Sequence, residues 1–308
     1  MSHSNGSSAA RFTVISLAVL TLITVSLSLV FFINFYTLSH DQIEITLGEN
    51  IARLRDTVTG KFNEWSAMIR YAAFGAAPFM AQKPPDTQAL QTLLSDIVDS
   101  QSDMAVLYCT NNLVWNEPGG YAVFSDGGVR EPAWNNTRRS WFIKAKTNPG
   151  KVAYTDPFIS ATTRNLSISV STNVYDEAGR DLGVVSGSVL IDILGAMLQS
   201  NVFLPRQQIF LINEQGLFIA ESDTGGEMFI TKPGRQSVLQ RDFFISLNLE
   251  QYRDDILSSP SFFKMDSGTF IYSAPIPNAG WTLVSLVPAS VIFTGMNRSL
   301  TQILCLNF

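Results

Sequence analysis

The sequence predicts an α+β chain: a transmembrane anchor helix, a long stalk helix and two tandem modules built on antiparallel sheets. Three observations predict it. A charge-free apolar run fills residues 12–35. Apolar residues then recur at helical spacing from Ile43 to Ile69. Finally, a layout of hairpin, irregular middle and hairpin occurs twice in succession between Ala105 and Val287.

As a helix the first run, Phe12 to Phe35, is about 36 Å long at 1.5 Å per residue, against a hydrocarbon core of about 30 Å. It is longer than the apolar region of a cleaved signal peptide, so a retained anchor is expected. Arg11 precedes it, and Asp41, Glu44 and Glu49 follow. That asymmetry orients residues 1–11 to the cytoplasm and the body of the chain to the outside.

Beyond the anchor, Ile43, Leu47, Ile51, Leu54, Val58, Phe62, Trp65 and Ile69 are three or four apart and form one stripe. A helix over 41–82 is expected, ending near the Gly75 to Pro78 stretch and Pro84-Pro85. Its stripe serves either the domain's own core or a dimer stalk that conveys motion. A shorter helix follows over Asp86 to Ser100.

The first module opens with Ala105 to Cys109, a Thr-Asn-Asn turn and Leu113 to Trp115. It closes with Leu166 to Tyr175, the turn Asp176 to Gly179, and Leu182 to Ile191. The second opens with Gln208 to Ile212, the turn Asn213 to Gly216, and Leu217 to Ala220. It closes with Thr269 to Ala274, a Pro-rich turn through Gly280, and Trp281 to Val287. The boundary falls near Gln199 to Gln207. In the first module Leu166, Ile168, Val170 and Val174 alternate with Ser167, Ser169, Ser171 and Asn173. Such a strand either turns its polar side to water or lays hydroxyls along a pocket floor. After Pro288 the sequence reads as a helix re-approaching the membrane through Ile292, Phe293, Met296 and Leu300, interrupted by Arg298, with too few residues to cross.

Composition narrows the function. A net charge of −5 and a pI near 5.1 argue against nucleic acid as a partner. The only histidines, His3 and His40, flank the anchor, which leaves no Ser-His-Asp triad or His-rich metal site in the body. There is neither a Gly-x-Ser-x-Gly elbow nor a His-Glu-x-x-His motif. Cys109 and Cys305 are too few for a disulfide scaffold and are expected as free thiols. An enzyme is not expected, nor is a metal or a cofactor.

The chemistry concentrates between Glu131 and Ile191, around Trp134, Arg139-Ser-Trp141-Phe142 and Gly150-Lys-Val-Ala-Tyr154-Thr-Asp156-Pro157-Phe158. If Arg139 to Trp141 is extended, the guanidinium and the indole leave the same side of the chain, as do Tyr154 and Asp156. One planar fork of donors, one carboxylate and several aromatic faces suit a compact ligand with polar ends. Arg138 is expected to be solvated.

These residues, with Gly183-Val-Val and the closing Gly280-Trp-Thr-Leu-Val-Ser-Leu-Val-Pro288, resemble the double Cache extracytoplasmic sensor of bacterial methyl-accepting chemotaxis proteins. The resemblance covers roughly Asp41 to Ser290. It implies two PAS-like Cache modules, a membrane-distal one over 86–199 that binds ligand and a membrane-proximal one over 207–288. Residues 289–308 would then begin a helix leading to a second transmembrane segment that this chain lacks. The implied ligand is an amino acid or another small carboxylate. Arg139 looks like the arginine that grips the carboxylate, Trp141 like the aromatic beside it, and Asp156 like an acid that receives the amine. Tyr154 belongs to the same set, and Trp134 stands where such receptors often have tyrosine. Ser188 falls where the family's second amine-binding aspartate is expected, and a serine supplies no charge there.

The expected function is therefore ligand sensing in the inner cell membrane, by a homodimer with its sensor region in the periplasm or outside the cell, coupled to a cytoplasmic output absent from this chain. The alternatives are the sensor region of a histidine kinase or of a cyclic-dinucleotide enzyme, or a non-signalling membrane-anchored binding protein.

Overall fold

The computed structural model describes residues 5–100, 103–128, 131, 133–161, 164–222, 241–258, 260–277 and 279–291, with the side chains of 5–13, 35–36 and 39–44 excepted. It divides into a unit of residues 1–50 and a unit of residues 51–308. Helix α1 (Asn5–Met80) runs through both. Within the first unit, Val14–Asn34 is long and apolar enough to cross a membrane, and its large side chains, Leu17, Leu22 and Phe31 among them, are exposed.

In the second unit the apolar stripe of α1 is fully used. Ile51, Leu54, Val58, Phe62, Trp65, Ile69, Ala72, Ala76 and Met80 are all buried, so the three-four spacing marks a packing face for the molecule's own core. Pro78 lies inside the helix, which ends two residues later. Helix α2 (Thr87–Ser100) follows, burying Leu90, Leu94 and Ile97.

The first sheet contains β1 (Met104–Asn111), β2 (Ala122–Phe124), β3 (Ala153–Tyr154), β4 (Phe158–Ile159), β5 (Leu166–Tyr175) and β6 (Asp181–Leu190). All its pairings are antiparallel, in the order β2-β1-β6-β5-β3, with β4 also on β5. Helix α3 (Ser140–Thr147) lies on β5, and α4 (Ile191–Gln199) leads into the second module. That module has β7 (Gln208–Asn213), β8 (Phe218–Glu221), α5 (Phe243–Leu247), α6 (Arg253–Ser258), β9 (Ser261–Lys264), β10 (Thr269–Ile276) and β11 (Trp281–Pro288), with strand order β8-β7-β11-β10-β9. Each sheet thus places its first strand beside its last, with a hairpin on either side, so the two modules share one topology. The fold is the expected α+β arrangement of two antiparallel, PAS-like sheets.

Three local expectations change. The strand pairing with β1 is Ala122–Phe124, and Leu113 to Trp115 is a loop. That loop folds tightly under Gly120, where an added Cβ would lie 1.9 Å from the Val114 carbonyl oxygen. The buried Asn136 side chain then holds it, accepting from Trp115 N and donating to Leu113 O. Second, residues Ser167 to Val174 of β5 are buried on both faces, so its serines do not meet water. Third, Arg139 is extended, but Ser140 and Trp141 already belong to α3. The irregular middle of the second module at 223–240, the helix expected beyond Val291, and Cys305 lie outside the described residues.

Candidate functional site

The two faces of the first sheet differ in chemistry. Leu107 and Cys109 of β1, Val185 and Val189 of β6, and Ile168 and Val170 of β5 belong to the same core as α1. Gly187 on this face lets the helix approach, since an added Cβ would lie 3.1 Å from Ile69 and 2.9 Å from Leu107. The opposite face presents Tyr108, Ser186, Ser188, Ser169 and Ser171, a row of hydroxyls that is nonetheless buried. Buried hydroxyls need partners inside the protein, and all of these but Ser186 Oγ have one. Tyr108 Oη lies 2.8 Å from Ser169 Oγ and accepts from Ser188 Oγ at 3.5 Å, while Ser171 Oγ donates to the Trp141 carbonyl at 2.9 Å.

Part of this hydroxyl face is the floor of an open cavity of about 220 Å³. Tyr108, Phe124 and Ser188 come from the sheet, Trp134, Arg138, Arg139, Ser140 and Trp141 from the loop and start of α3, and Phe158 to Ala161 from β4 and beyond. The aromatic walls brace one another. Trp141 meets Tyr108 edge-on at 4.9 Å and stacks with Trp134 at 6.4 Å, and Trp134 meets Phe124 at 5.5 Å. Trp115 Nε1 donates to the Trp134 carbonyl at 2.6 Å, fixing the loop that carries it.

The electrostatics of the cavity are positive. Arg139 lies with its guanidinium carbon 5.8 Å from the centre of the Trp134 ring. Among the described residues no carboxylate pairs with Arg139 or Arg138. Arg139 is also the N-cap of α3 and makes no side-chain cap hydrogen bond, so the positive end of that helix opens where Ser140 and Trp141 line the cavity. Burial pushes the Tyr108 phenol up, an effect that the hydrogen bonds with Ser169 and Ser188 and the charge of Arg139 only partly offset. Tyr108 is thus a neutral hydroxyl at pH 7.

Four of the six residues expected at the site, Arg139, Trp141, Trp134 and Ser188, come together here. Tyr154 and Asp156 do not line this cavity. Tyr154 pairs with Val170 in the sheet and shares its α1 side, where the phenol donates to the Phe62 carbonyl at 2.6 Å and lies 2.6 Å from Ser66 Oγ. Burial raises its pKa to about 12. Asp156 accepts from Asn213 Nδ2 of the second sheet at 2.9 Å. Sharing one side of the chain, as expected, places both toward α1 and the second module.

Tyr108, Phe124, Arg138, Ser140 and the run Phe158 to Ala161 complete the lining. Tyr108 carried a signal in sequence, as the one hydroxyl-bearing ring in the otherwise apolar stretch Ala105 to Cys109. For Ser160 and Ala161 there was none. Among the described residues no group of three or more His, Cys, Asp or Glu side chains is placed to hold a metal.

Comparison with known proteins agrees with this architecture. The structure is similar to the ligand-binding domain of the Pseudomonas fluorescens chemoreceptor CtaA, in complex with L-alanine, at 19% identity and a TM-score of 0.61 over 80% of this chain and 97% of that one. It is similar to the ligand-binding domain of the Pseudomonas aeruginosa PAO1 amino-acid chemoreceptor PctC, in complex with GABA, at 17% identity and a TM-score of 0.58 over 78% and 96%. The ligand-binding domain of Mlp24 with asparagine matches at 16% identity and a TM-score of 0.60 over 84% and 99%. No curated protein matches the sequence significantly. Residues 36–296 match the double Cache (dCache) family, described as a Cache domain, and the chain belongs to that family.

Proposed function

We propose that this chain is the ligand-sensing region of a transmembrane chemoreceptor, and that its first module binds a small molecule bearing a carboxylate, an amino acid or an organic acid. The observation that carries the reading is Arg139, a cation on the wall of an aromatic cavity with no carboxylate partner among the described residues. A guanidinium offers a planar fork that matches a carboxylate in two hydrogen bonds. The cavity volume is on the order of seven waters at ~30 Å³ each, which suits a ligand of amino-acid size. The ligands of the similar receptor domains, L-alanine, GABA and asparagine, all carry a carboxylate, in keeping with this assignment.

In this reading Arg139 holds the carboxylate, Trp134 and Trp141 flank it, and Ser188 meets the ligand's other polar group through the Tyr108 hydroxyl or directly. Tyr154 and Asp156 position the wall rather than touch the ligand. Val14–Asn34 crosses the inner membrane with the N-terminus in the cytoplasm and the sensor region outside. The chain acts by binding, as a homodimer, and not by catalysis. A ligand that favours a closed cavity over an open one shifts the population by that difference in affinity, and α1 conveys the shift to a cytoplasmic output.

The test is a thermal-shift screen of the purified full chain against small carboxylates. We predict that one or more raise the Tm and that Arg139→Ala abolishes the rise. Stabilisation that persists in Arg139→Ala removes Arg139 from the site.

A further inference from the structure

We infer that the natural ligand is a carboxylate without an amine, a small hydroxy or oxo acid rather than an amino acid. This rests on the reading of the cavity as a carboxylate site and narrows its ligand class.

An α-amino acid or an ω-amino acid brings two charges into a site, and its ammonium needs a partner once water is stripped from it. The described cavity lining has two guanidiniums, from Arg138 and Arg139, and no carboxylate. The residues left undescribed in the neighbouring loops are Val129, Arg130, Pro132, Thr162 and Thr163, none of them acidic. The carboxylates that lie nearest in sequence are engaged elsewhere: Asp126, two residues from Phe124, accepts from Gly128 N at 2.9 Å. Glu131 forms a surface pair with Arg164 at 3.7 Å, and Asp156 receives Asn213 Nδ2 at 2.9 Å. An ammonium would therefore enter beside two cations and the positive end of α3, and meet only neutral groups.

Those neutral groups are well matched to an oxygen instead. Tyr108, Ser140, Ser160 and Ser188 bring hydroxyls to the cavity. Tyr108 Oη is tied to Ser169 Oγ at 2.8 Å and to Ser188 Oγ at 3.5 Å, so it is held in place before a ligand arrives. A hydroxyl can donate to a keto or hydroxyl oxygen and can also accept from a hydroxyl, so either oxygen function is satisfied there. For an ammonium the same hydroxyls act only as neutral acceptors, and hydrogen bonds of that kind lack the paired charge that makes the strong ones strong. The ring faces of Trp134 and Trp141 are cation-binding surfaces in principle, but Arg139 already lies over Trp134 and the two indoles stack on each other.

The experiment compares molecules that differ only in replacing the ammonium by oxygen. L-Lactate and pyruvate are set against L-alanine, 2-hydroxyisovalerate against L-valine, and 4-hydroxybutyrate against GABA, by isothermal titration of the full chain in detergent micelles at pH 7. The expected result is that at least one oxygen acid binds at least about tenfold more tightly than its amino counterpart, and that Arg139→Ala removes this binding while leaving the far-UV circular dichroism unchanged. Arg139→Lys keeps the charge without the fork and should bind with intermediate affinity. Amino acids binding as tightly as the oxygen acids, or more tightly, through Arg139 would overturn the inference and leave the carboxylate site standing. If no member of either series binds, or if binding survives in Arg139→Ala, the carboxylate site itself falls and the inference with it.

Discussion

The Tyr154 phenol spans from the first sheet to α1, donating to the Phe62 carbonyl and bonding Ser66, both at 2.6 Å. Its ring meets Phe62 at 4.9 Å and Trp281 of the second module at 6.1 Å. A buried hydroxyl with two partners is costly to delete because the partners lose a bond while the space stays closed to water. We predict that Tyr154→Phe lowers stability by about 1–3 kcal/mol in chemical denaturation and leaves ligand affinity unchanged. A loss of affinity without loss of stability would return Tyr154 to the site. At this scale the sequence was a better guide to which residues gather in one region than to the side each one faces. Period-two reasoning put Tyr154 and Asp156 on one side together, and the structure keeps them together. Which side that was depended on the pairing of Tyr154 with Val170, a contact between residues far apart in the chain. Arg139 and Trp141 meet the same cavity by another route, one extended residue followed by the first turn of a helix.

Among the elements, α1 from Ile51 to Met80 was the most legible, because a three-four stripe over eight turns has few other uses. What the stripe could not disclose is that the helix serves both sheets. Phe62 makes the point, with its ring 4.9 Å from Tyr154 of the first module and 5.2 Å from Trp281 of the second, and none of its surface exposed beyond 1%. Beside it Lys61 Nζ reaches Asp103 at 2.9 Å and Glu64 at 3.0 Å. Deleting the Phe62 ring should leave a cavity shared by both modules. We predict that Phe62→Ala costs about 3–5 kcal/mol and lowers the unfolding midpoint of both modules together, as read by tryptophan fluorescence and by hydrogen exchange in each sheet. A midpoint that falls in one module alone would show that the helix packs them independently. The short elements were less legible for a physical reason. β3 and β4 have two residues each, too few for any period, and exist because β5 offers them an edge.

In the unit formed by residues 51–308, eight consecutive residues connect the cavity, the helix and the second module. Tyr154 is fixed to α1, Asp156 to Asn213 at the end of β7, and Phe158 to Ala161 form the cavity wall. Asn213 is itself buried, and its side-chain oxygen accepts from Gln215 N at 3.0 Å and Leu217 N at 2.8 Å, holding the turn between β7 and β8. A ligand that draws the wall inward pulls on a segment that β3 and β4 hold to β5 and that Tyr154 and Asp156 also tie to α1 and the second module. The coupling can be read without knowing the output domain. We predict that a ligand bound in the cavity changes hydrogen-exchange protection at Gln215 and Leu217, and that Asp156→Ala removes that change while leaving the ligand's affinity within about twofold of wild type, since Asp156 does not line the cavity. If protection in the β7–β8 turn responds to ligand equally in Asp156→Ala, the signal travels by α1 alone, through Tyr154 and Phe62. If affinity collapses instead, Asp156 acts on the ligand directly and the cavity closes further than its open form discloses.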